Sequence, residues 1–142
     1  MKAKFALAML LLGAVAAVGQ QAAQPKIEKT SAPYTSPASG KLMFNTYCAS
    51  CHGAGAKGNG PAAAAVKGGV PDLTMLAKSH GGKYPSMHVY EVIKGDTLVP
   101  AHGSVDMPVW GPVLTRVSEG SNAELQQRLN NLTAYIGSLQ QK

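Results

Sequence analysis

The feature that most restricts this 142-residue chain is the pentapeptide Cys48-Ala49-Ser50-Cys51-His52, which contains both of its cysteines. Two thiols three positions apart, followed at once by an imidazole, suit only a few kinds of site. They can form a local disulfide, act as a redox-active Cys-x-x-Cys, supply half of a zinc site, or attach a haem covalently. The rest of the sequence has to decide between these four interpretations.

Two of the four interpretations lack support elsewhere in the chain. A zinc site would need two more ligands, and only His80, His88, His102 and carboxylates are available for that role. A redox-active Cys-x-x-Cys is expected after a strand in a βαβ pattern, and no such pattern precedes Cys48. Haem attachment needs only the motif itself. The motif therefore predicts thioether bonds from Cys48 and Cys51 to one haem c and ligation of its iron by His52.

The amino-terminal residues 1–19 have the pattern of a secretory signal. Lys2 and Lys4 precede an apolar stretch, and small residues such as Ala17 and Gly19 follow it. The alternative is an uncleaved anchor, for which the 14 apolar or glycine residues from Phe5 are short, because a membrane span takes about 20. Either way we expect the domain to lie in the periplasm, with membrane contact only if this segment is retained.

The next segment, residues 20–38, reads as a linker because prolines alternate there with Gln, Ala, Ser and Thr and little is available to bury. The folded domain is then predicted over residues 39–142. Without Lys2 and Lys4 the chain keeps eleven basic and seven acidic residues, a net charge near +4. This charge is small and scattered, so nucleic-acid binding is not expected.

Helical patterns occur at both ends of the domain. Ser39 or Gly40 can open a helix that runs to Cys48, and a second helix is predicted from Ser86 or Met87 to Lys94 with Gly95 as its stop. A short helical turn is possible at 73–78. The final helix begins at a Ser121–Glu124 capping-box pattern. Its apolar face repeats at spacings of three and four residues: Leu125, Leu129, Leu132, Ile136 and Leu139.

No alternating stretch is long enough for a sheet, so the predicted class is all-α, with three to four helices joined by long loops. The loops at 53–60 and 97–114 are rich in Gly and Pro. Ordering such loops costs about 1–2 kcal/mol per residue, which a few short helices would not offset alone. A haem at the centre of the domain would supply the missing apolar body.

Several of these segments together resemble the class I c-type cytochromes. The resemblance covers residues 39–140 and implies a cytochrome c fold, with loops wrapped around one covalent haem and the first and last helices crossing near Gly40, Phe44 and Tyr135. The segments that carry it are Gly40-Lys41-Leu42-Met43-Phe44, Cys48-Ala49-Ser50-Cys51-His52-Gly53, Met107-Pro108-Val109-Trp110-Gly111 and the closing helix with Tyr135.

The sixth iron ligand is sought among the methionines and histidines. Met107 lies in a loop and is held by Pro108, which favours it, and the resemblance implies the same because a late Met-Pro pair carries the axial sulfur in that family. His102, in the same loop, is the alternative ligand. The remaining candidates, on predicted helices or their ends, are more simply core or surface residues: Met43, Met75, Met87, His80 and His88.

Other roles follow from the resemblance or from packing. Pro61 resembles the family's proline, whose carbonyl accepts the second ring N–H of the ligating histidine. Leu73 is expected against one haem face, and Trp110 is expected to close the methionine side or to meet a propionate.

With both axial positions filled, the expected function is one-electron transfer between redox proteins rather than enzymatic catalysis. The alternatives are a haem protein with a labile sixth ligand, of small-ligand-binding or peroxidase-like type, and an electron-transfer subunit of a dehydrogenase or oxidase. Five lysines in the segment expected to wrap the haem could steer an acidic partner, or could simply be solvated: Lys57, Lys67, Lys78, Lys83 and Lys94.

Overall fold

The computed structural model describes residues 31–97 and 109–141, and every regular element in these ranges is helical. This confirms the all-α prediction. The signal segment 1–19 and residues 20–30 lie outside the described ranges. The elements are α1 (Gly40–Met43), a π-helical turn (Phe44–Cys48), α2 (Ala49–His52), two 3₁₀ turns (Ala63–Ala65 and Leu73–Met75), α3 (Leu76–Ser79), α4 (Ser86–Lys94), α5 (Trp110–Val117) and α6 (Asn122–Ser138).

The first helical stretch, residues 40–52, is continuous but changes its hydrogen bonding in the middle. Ser39 caps its start, since the Ser39 hydroxyl accepts the N–H of Leu42 at 3.1 Å. Over the π-helical turn the chain takes one wider turn, and the N–H of Ala49 donates to the carbonyl of Phe44, five residues back. Such turns occur often at functional sites, and this one ends at Cys48.

The core forms where α1 crosses α6. A Cβ at Gly40 would overlap the Asn131 carbonyl oxygen and lie 2.8 Å from Cβ of Tyr135, so only glycine permits this approach. Beside the crossing, the rings of Phe44 and Tyr135 pack with centroids 5.5 Å apart. The predicted crossing near Gly40, Phe44 and Tyr135 is confirmed. Helix α4 packs on the other side of α6, and its Val89 and Ile93 complete the core.

The described part of the predicted linker is folded onto this core. Thr35 is 5% exposed, and its hydroxyl lies 2.8 Å from the Tyr47 hydroxyl, which in turn donates to the Pro33 carbonyl at 2.7 Å. Asn131 of α6 donates to the Pro37 carbonyl at 2.8 Å. Residues 31–38, which lie in the predicted linker, therefore supply polar groups to the buried face of the domain.

Helix α5 is a second departure from the predicted elements. Its residues were assigned partly to the loop 97–114 because of Pro112, but a proline in the first turn of a helix removes an N–H that has no intrahelical acceptor. The predicted helix 86–94 and its stop at Gly95 are confirmed, with Gly95 in the left-handed region at φ 92°. Within the described ranges no helix is long and apolar enough to cross a membrane.

Candidate cofactor site

The pentapeptide motif lies at the end of the first helical stretch. Cys48 closes the π-helical turn, Cys51 and His52 belong to α2, and Gly53 ends that helix with φ at 76°. Both cysteines are half-buried thiols, and no disulfide joins them. His52 is buried at the last position of α2.

The environment of Cys48 argues against a redox-active dithiol. Burial, together with the neighbouring Cys51, raises the pKa of the Cys48 thiol to about 12. Reactive cysteines in Cys-x-x-Cys motifs show the opposite shift, because the thiolate is the nucleophile in exchange reactions. No strand precedes the motif within the described residues either. Both observations favour a structural use of the two thiols.

An apolar cavity lies beside Cys48 and His52. Its other walls come from the first helical stretch, the segment around α3, α4, α5 and α6, and they are almost entirely apolar. The lining residues are Phe44, Cys48, His52, Pro71, Leu73, Leu76, His88, Val89, Val92, Ile93, Trp110 and Ile136. A cavity with the Cys48 thiol and the His52 imidazole at one wall and hydrocarbon elsewhere fits a large, flat, apolar group attached through that wall.

The glycine-rich loop after His52 folds back onto the end of α2. The N–H groups of Gly58, Gly60 and Ala62 donate to the carbonyls of His52, Cys51 and Ser50 at 2.8, 3.0 and 2.8 Å. These bonds satisfy carbonyls that a helix end leaves without intrahelical partners.

Gly60 permits this close approach. A Cβ there would lie 2.6 Å from the Ala49 carbonyl oxygen. Pro61 follows it and is exposed. Its role as acceptor for the His52 ring stays a prediction.

Leu73 and Trp110 both lie in the cavity wall. Leu73 follows Asp72, whose carboxylate accepts the Thr74 N–H at 2.9 Å and its hydroxyl at 2.6 Å. The hydrogen bond from the Thr74 hydroxyl has the largest effect, and together the two bonds hold the pKa of Asp72 below its ordinary value. Trp110 opens α5, and its ring packs 5.6 Å from the ring of Tyr47.

The predicted sixth ligand Met107 and its alternative His102 lie outside the described residues. Val109, which follows them, packs against Gly95 at the end of α4. Trp110, immediately after, lines the cavity. The chain therefore re-enters the described structure at the cavity wall.

The other methionine candidates lie elsewhere. Met43 is fully buried beside Arg128, whose Nη1 lies 3.8 Å from its sulfur. Met75 is half-buried, and Met87 is 68% exposed. None of these three lines the cavity.

His88 is the site residue that the sequence analysis missed. Its place near a helix end predicts a surface residue; it is exposed, and it also lines the cavity. The signal was present in the helical spacing, because His88 shares one face of α4 with Val89, Val92 and Ile93, all of which line the cavity. His80 is exposed and outside the lining.

Comparison with known proteins gives one match. A family model described as Cytochrome c matches residues 37–140. No curated protein and no solved structure matches the chain significantly. The matched range contains the motif, all the cavity-lining residues and both crossing helices.

Proposed function

The chain belongs to the cytochrome c family of haem-binding electron-transfer proteins, and from this premise we propose that it is a periplasmic one-electron carrier with His52 and Met107 as axial ligands. It carries haem c, bound covalently, and it exchanges electrons with redox partners. The ligand pair, the location and the absence of enzymatic turnover belong to the proposal.

One observation carries the proposal: Cys48 and His52 share the wall of an apolar cavity. Cys48 and Cys51 would hold the haem through thioethers, and His52 would bind the iron from the end of α2. When bound, the haem supplies one iron that gains or loses a single electron. The aliphatic wall, including Leu76 and Val89, excludes water and disfavours added positive charge, which raises the reduction potential.

Met107 is supported by the placement of the other methionines. Met43, Met75 and Met87 do not line the cavity. Trp110, three residues after Met107, lies in the cavity wall. With His52 and Met107 both bound, neither oxygen nor peroxide finds an open position. This arrangement favours electron transfer over the alternative of small-ligand binding or peroxidase-like activity.

Optical spectra of the wild type and of Met107→Ala test the assignment of the sixth ligand. We expect the oxidised wild-type protein to show the weak long-wavelength band of sulfur ligation, and Met107→Ala to lose it and to bind carbon monoxide promptly when reduced. His102→Ala and His88→Ala are the matched controls and should keep the band. A band that survives in Met107→Ala would show the assignment to be wrong. Prompt carbon monoxide binding by the reduced wild type would favour the labile-ligand alternative.

The periplasmic location rests on the signal pattern of residues 1–19. Fractionation of cells expressing the full chain should recover the haem-stained protein in the periplasm, with a mass that corresponds to cleavage after Ala17 or Gly19. Retention in the membrane fraction at full mass would favour the anchor. Stable co-purification with a dehydrogenase or oxidase would favour the subunit alternative over a mobile carrier.

A further inference from the structure

Two histidines outside the proposed iron-ligand pair lie close to each other, and one of them, His88, lines the cavity. His80 follows α3, and His88 lies in the first turns of α4; their ring centroids are 6.4 Å apart with the planes at 37°. The loop between them reverses the chain through Gly81 and Gly82, whose φ angles of 66° and 87° only glycine adopts readily. Both rings are exposed, so they are accessible to a solute.

The ring of His80 is already oriented by its own helix. Its Nδ1 lies 2.8 Å from the Leu76 carbonyl oxygen, and because a carbonyl only accepts, Nδ1 carries the hydrogen. The Ser79 hydroxyl lies 3.1 Å from the same nitrogen. In the neutral ring, Nε2 therefore holds the lone pair. A ring N–H donated to a backbone carbonyl is the usual second contact of a metal-binding histidine, since it fixes the tautomer and the ring direction.

The separation of the rings matches a shared ion. Each imidazole bound at a metal–nitrogen distance of about 2.0–2.1 Å has its centroid roughly 3.2 Å from the ion, so two rings on one ion lie roughly 5–6.5 Å apart, depending on the angle. The observed 6.4 Å corresponds to a nearly linear N–metal–N angle, whereas a tetrahedral angle would bring the centroids to roughly 5.2 Å. A small rotation of the exposed His88 side chain shortens it. We propose that His80 and His88 form a surface site for a divalent transition-metal cation, Zn²⁺ or Cu²⁺.

The surroundings of the pair define the kind of site. Within the described residues, no group of three or more His, Cys, Asp or Glu side chains is arranged to hold a metal. The ion is therefore held by two imidazoles with water in the remaining positions, and it exchanges readily. The nearby Lys78 and Lys83 are exposed cations. Their charge weakens the binding of every divalent cation. The imidazole ligands set the selectivity, because Mg²⁺ and Ca²⁺ prefer oxygen ligands whereas Cu²⁺ ranks highest in affinity for imidazole.

The position of His88 links this site to the haem cavity. His88 also lines the cavity, so an ion bound there adds positive charge at its rim. Under the proposed electron-transfer function, this charge disfavours the oxidised haem and raises its midpoint potential. The metal site itself does not depend on that function, because binding is measured without electron transfer.

Calorimetric titration of the untagged holoprotein with Zn²⁺ tests the site. We expect one equivalent to bind, and His80→Gln and His88→Gln each to weaken binding about tenfold or more. Lys67→Gln, at an exposed position outside the pair, is the control and should bind as the wild type does. Far-ultraviolet circular dichroism like that of the wild type would show that the variants are folded. Equal Zn²⁺ affinity in the wild type and the double variant, or dependence on only one histidine, would overturn the proposal.

Two further readouts identify the ligands and the location. Electron paramagnetic resonance of bound Cu²⁺ should show coupling to two equivalent imidazole nitrogens, reduced to one in either single variant. Saturating Zn²⁺ should raise the haem midpoint potential of the wild type and leave that of His80→Gln unchanged. Coupling to a single nitrogen in the wild type would contradict the shared ion, and an unchanged midpoint potential would contradict a site at the cavity rim.

Discussion

At the scale of single residues, replacing Gly40 by alanine has two opposing effects on stability, one through helix propensity and one through packing. Alanine at this helical position would gain about 1 kcal/mol of helix propensity. Its Cβ would overlap the Asn131 carbonyl oxygen, and both helices would have to separate. Overpacking of this kind costs about 1–3 kcal/mol, and here the neighbour is rigid backbone. We therefore expect Gly40→Ala to destabilise the holoprotein by about 2 kcal/mol in guanidinium unfolding.

Gly55→Ala is the matched control for that experiment. Gly55 is exposed, has no atom within 4 Å of a built Cβ and does not adopt a positive φ. Its substitution should change the free energy of unfolding by less than about 0.5 kcal/mol. Equal effects at the two glycines would contradict the close approach of α1 and α6.

Tyr84 predicts a pH dependence of stability in the alkaline range. Its hydroxyl donates to the Thr133 carbonyl at 2.9 Å, and burial raises its pKa above the ordinary value. A tyrosine whose pKa is raised on folding stabilises the folded state. This contribution is complete at pH values below the tyrosine pKa of the unfolded chain, about 10, and it falls as the pH rises further. Tyr84→Phe should lose about 1 kcal/mol at pH 7. The difference between the two proteins should shrink above about pH 10; a constant difference in unfolding free energy would contradict this reasoning.

At the scale of elements, Arg128 joins α6 to the amino-terminal segment 31–39. The guanidinium is fully buried, pairs with Glu124 and donates to the hydroxyls of Ser118 and Thr35 at 3.1 and 3.2 Å. The ring of Tyr34 covers it at 5.0 Å. Removing one partner of a buried pair costs about 3–5 kcal/mol. Because Glu124 keeps some access to water, we expect Arg128→Met to lie at the lower end of that range.

The same variant should loosen the segment as well as lower the stability. Hydrogen exchange of residues 31–39 should accelerate in Arg128→Met, since Thr35 loses its contact with α6. Arg116→Met is the control, because Arg116 is an exposed residue at the end of α5. Slow exchange retained in Arg128→Met would show that the segment is held by other contacts.

The sequence predicted helices wherever local signals sufficed. Ser39, Gly95 and Ser121 fix helix ends through their own backbone or side chain, and these ends were found. The capping box is only half formed, because Glu124 turns to Arg128 instead of the Ser121 N–H. Residues 31–38 have the composition of a linker, and their own sequence does not indicate the contacts that they make with the core. Their packing depends on Arg128, about 90 residues away, and no local pattern shows that.

At the scale of the whole molecule, the candidate site combines local and distant information. Cys48, Cys51 and His52 were predicted from five consecutive residues, and Leu73 and Trp110 were expected at the haem. The cavity wall also needs α4 and α6, whose placement relative to α2 follows from the Gly40 crossing and not from any motif. His88 reaches the rim only through that tertiary arrangement.

The charge of the whole molecule leads to a last prediction. Lys57, Lys67, Lys78 and Lys83 are exposed, whereas Lys94 is half-buried and pairs with Asp96 at 2.6 Å. The hydrogen bond to Asp96, followed by the charge of Asp96, raises the pKa of Lys94. At a distance, the negative charge of Asp96 cancels the positive charge of Lys94. The exposed lysines should therefore attract an anionic electron acceptor, and Lys94 should contribute little.

Stopped-flow oxidation of the reduced protein by hexacyanoferrate(III) measures this attraction. The rate should fall as the ionic strength rises from about 10 mM to about 150 mM, because the Debye length shrinks from about 30 Å to about 8 Å. With the cationic hexaammineruthenium(III), the rate should rise over the same range. Lys78→Gln should flatten the salt dependence with the anion more than Lys94→Gln does. Rates that do not respond to salt with either reagent would show that the lysines are merely solvated and do not steer electron transfer.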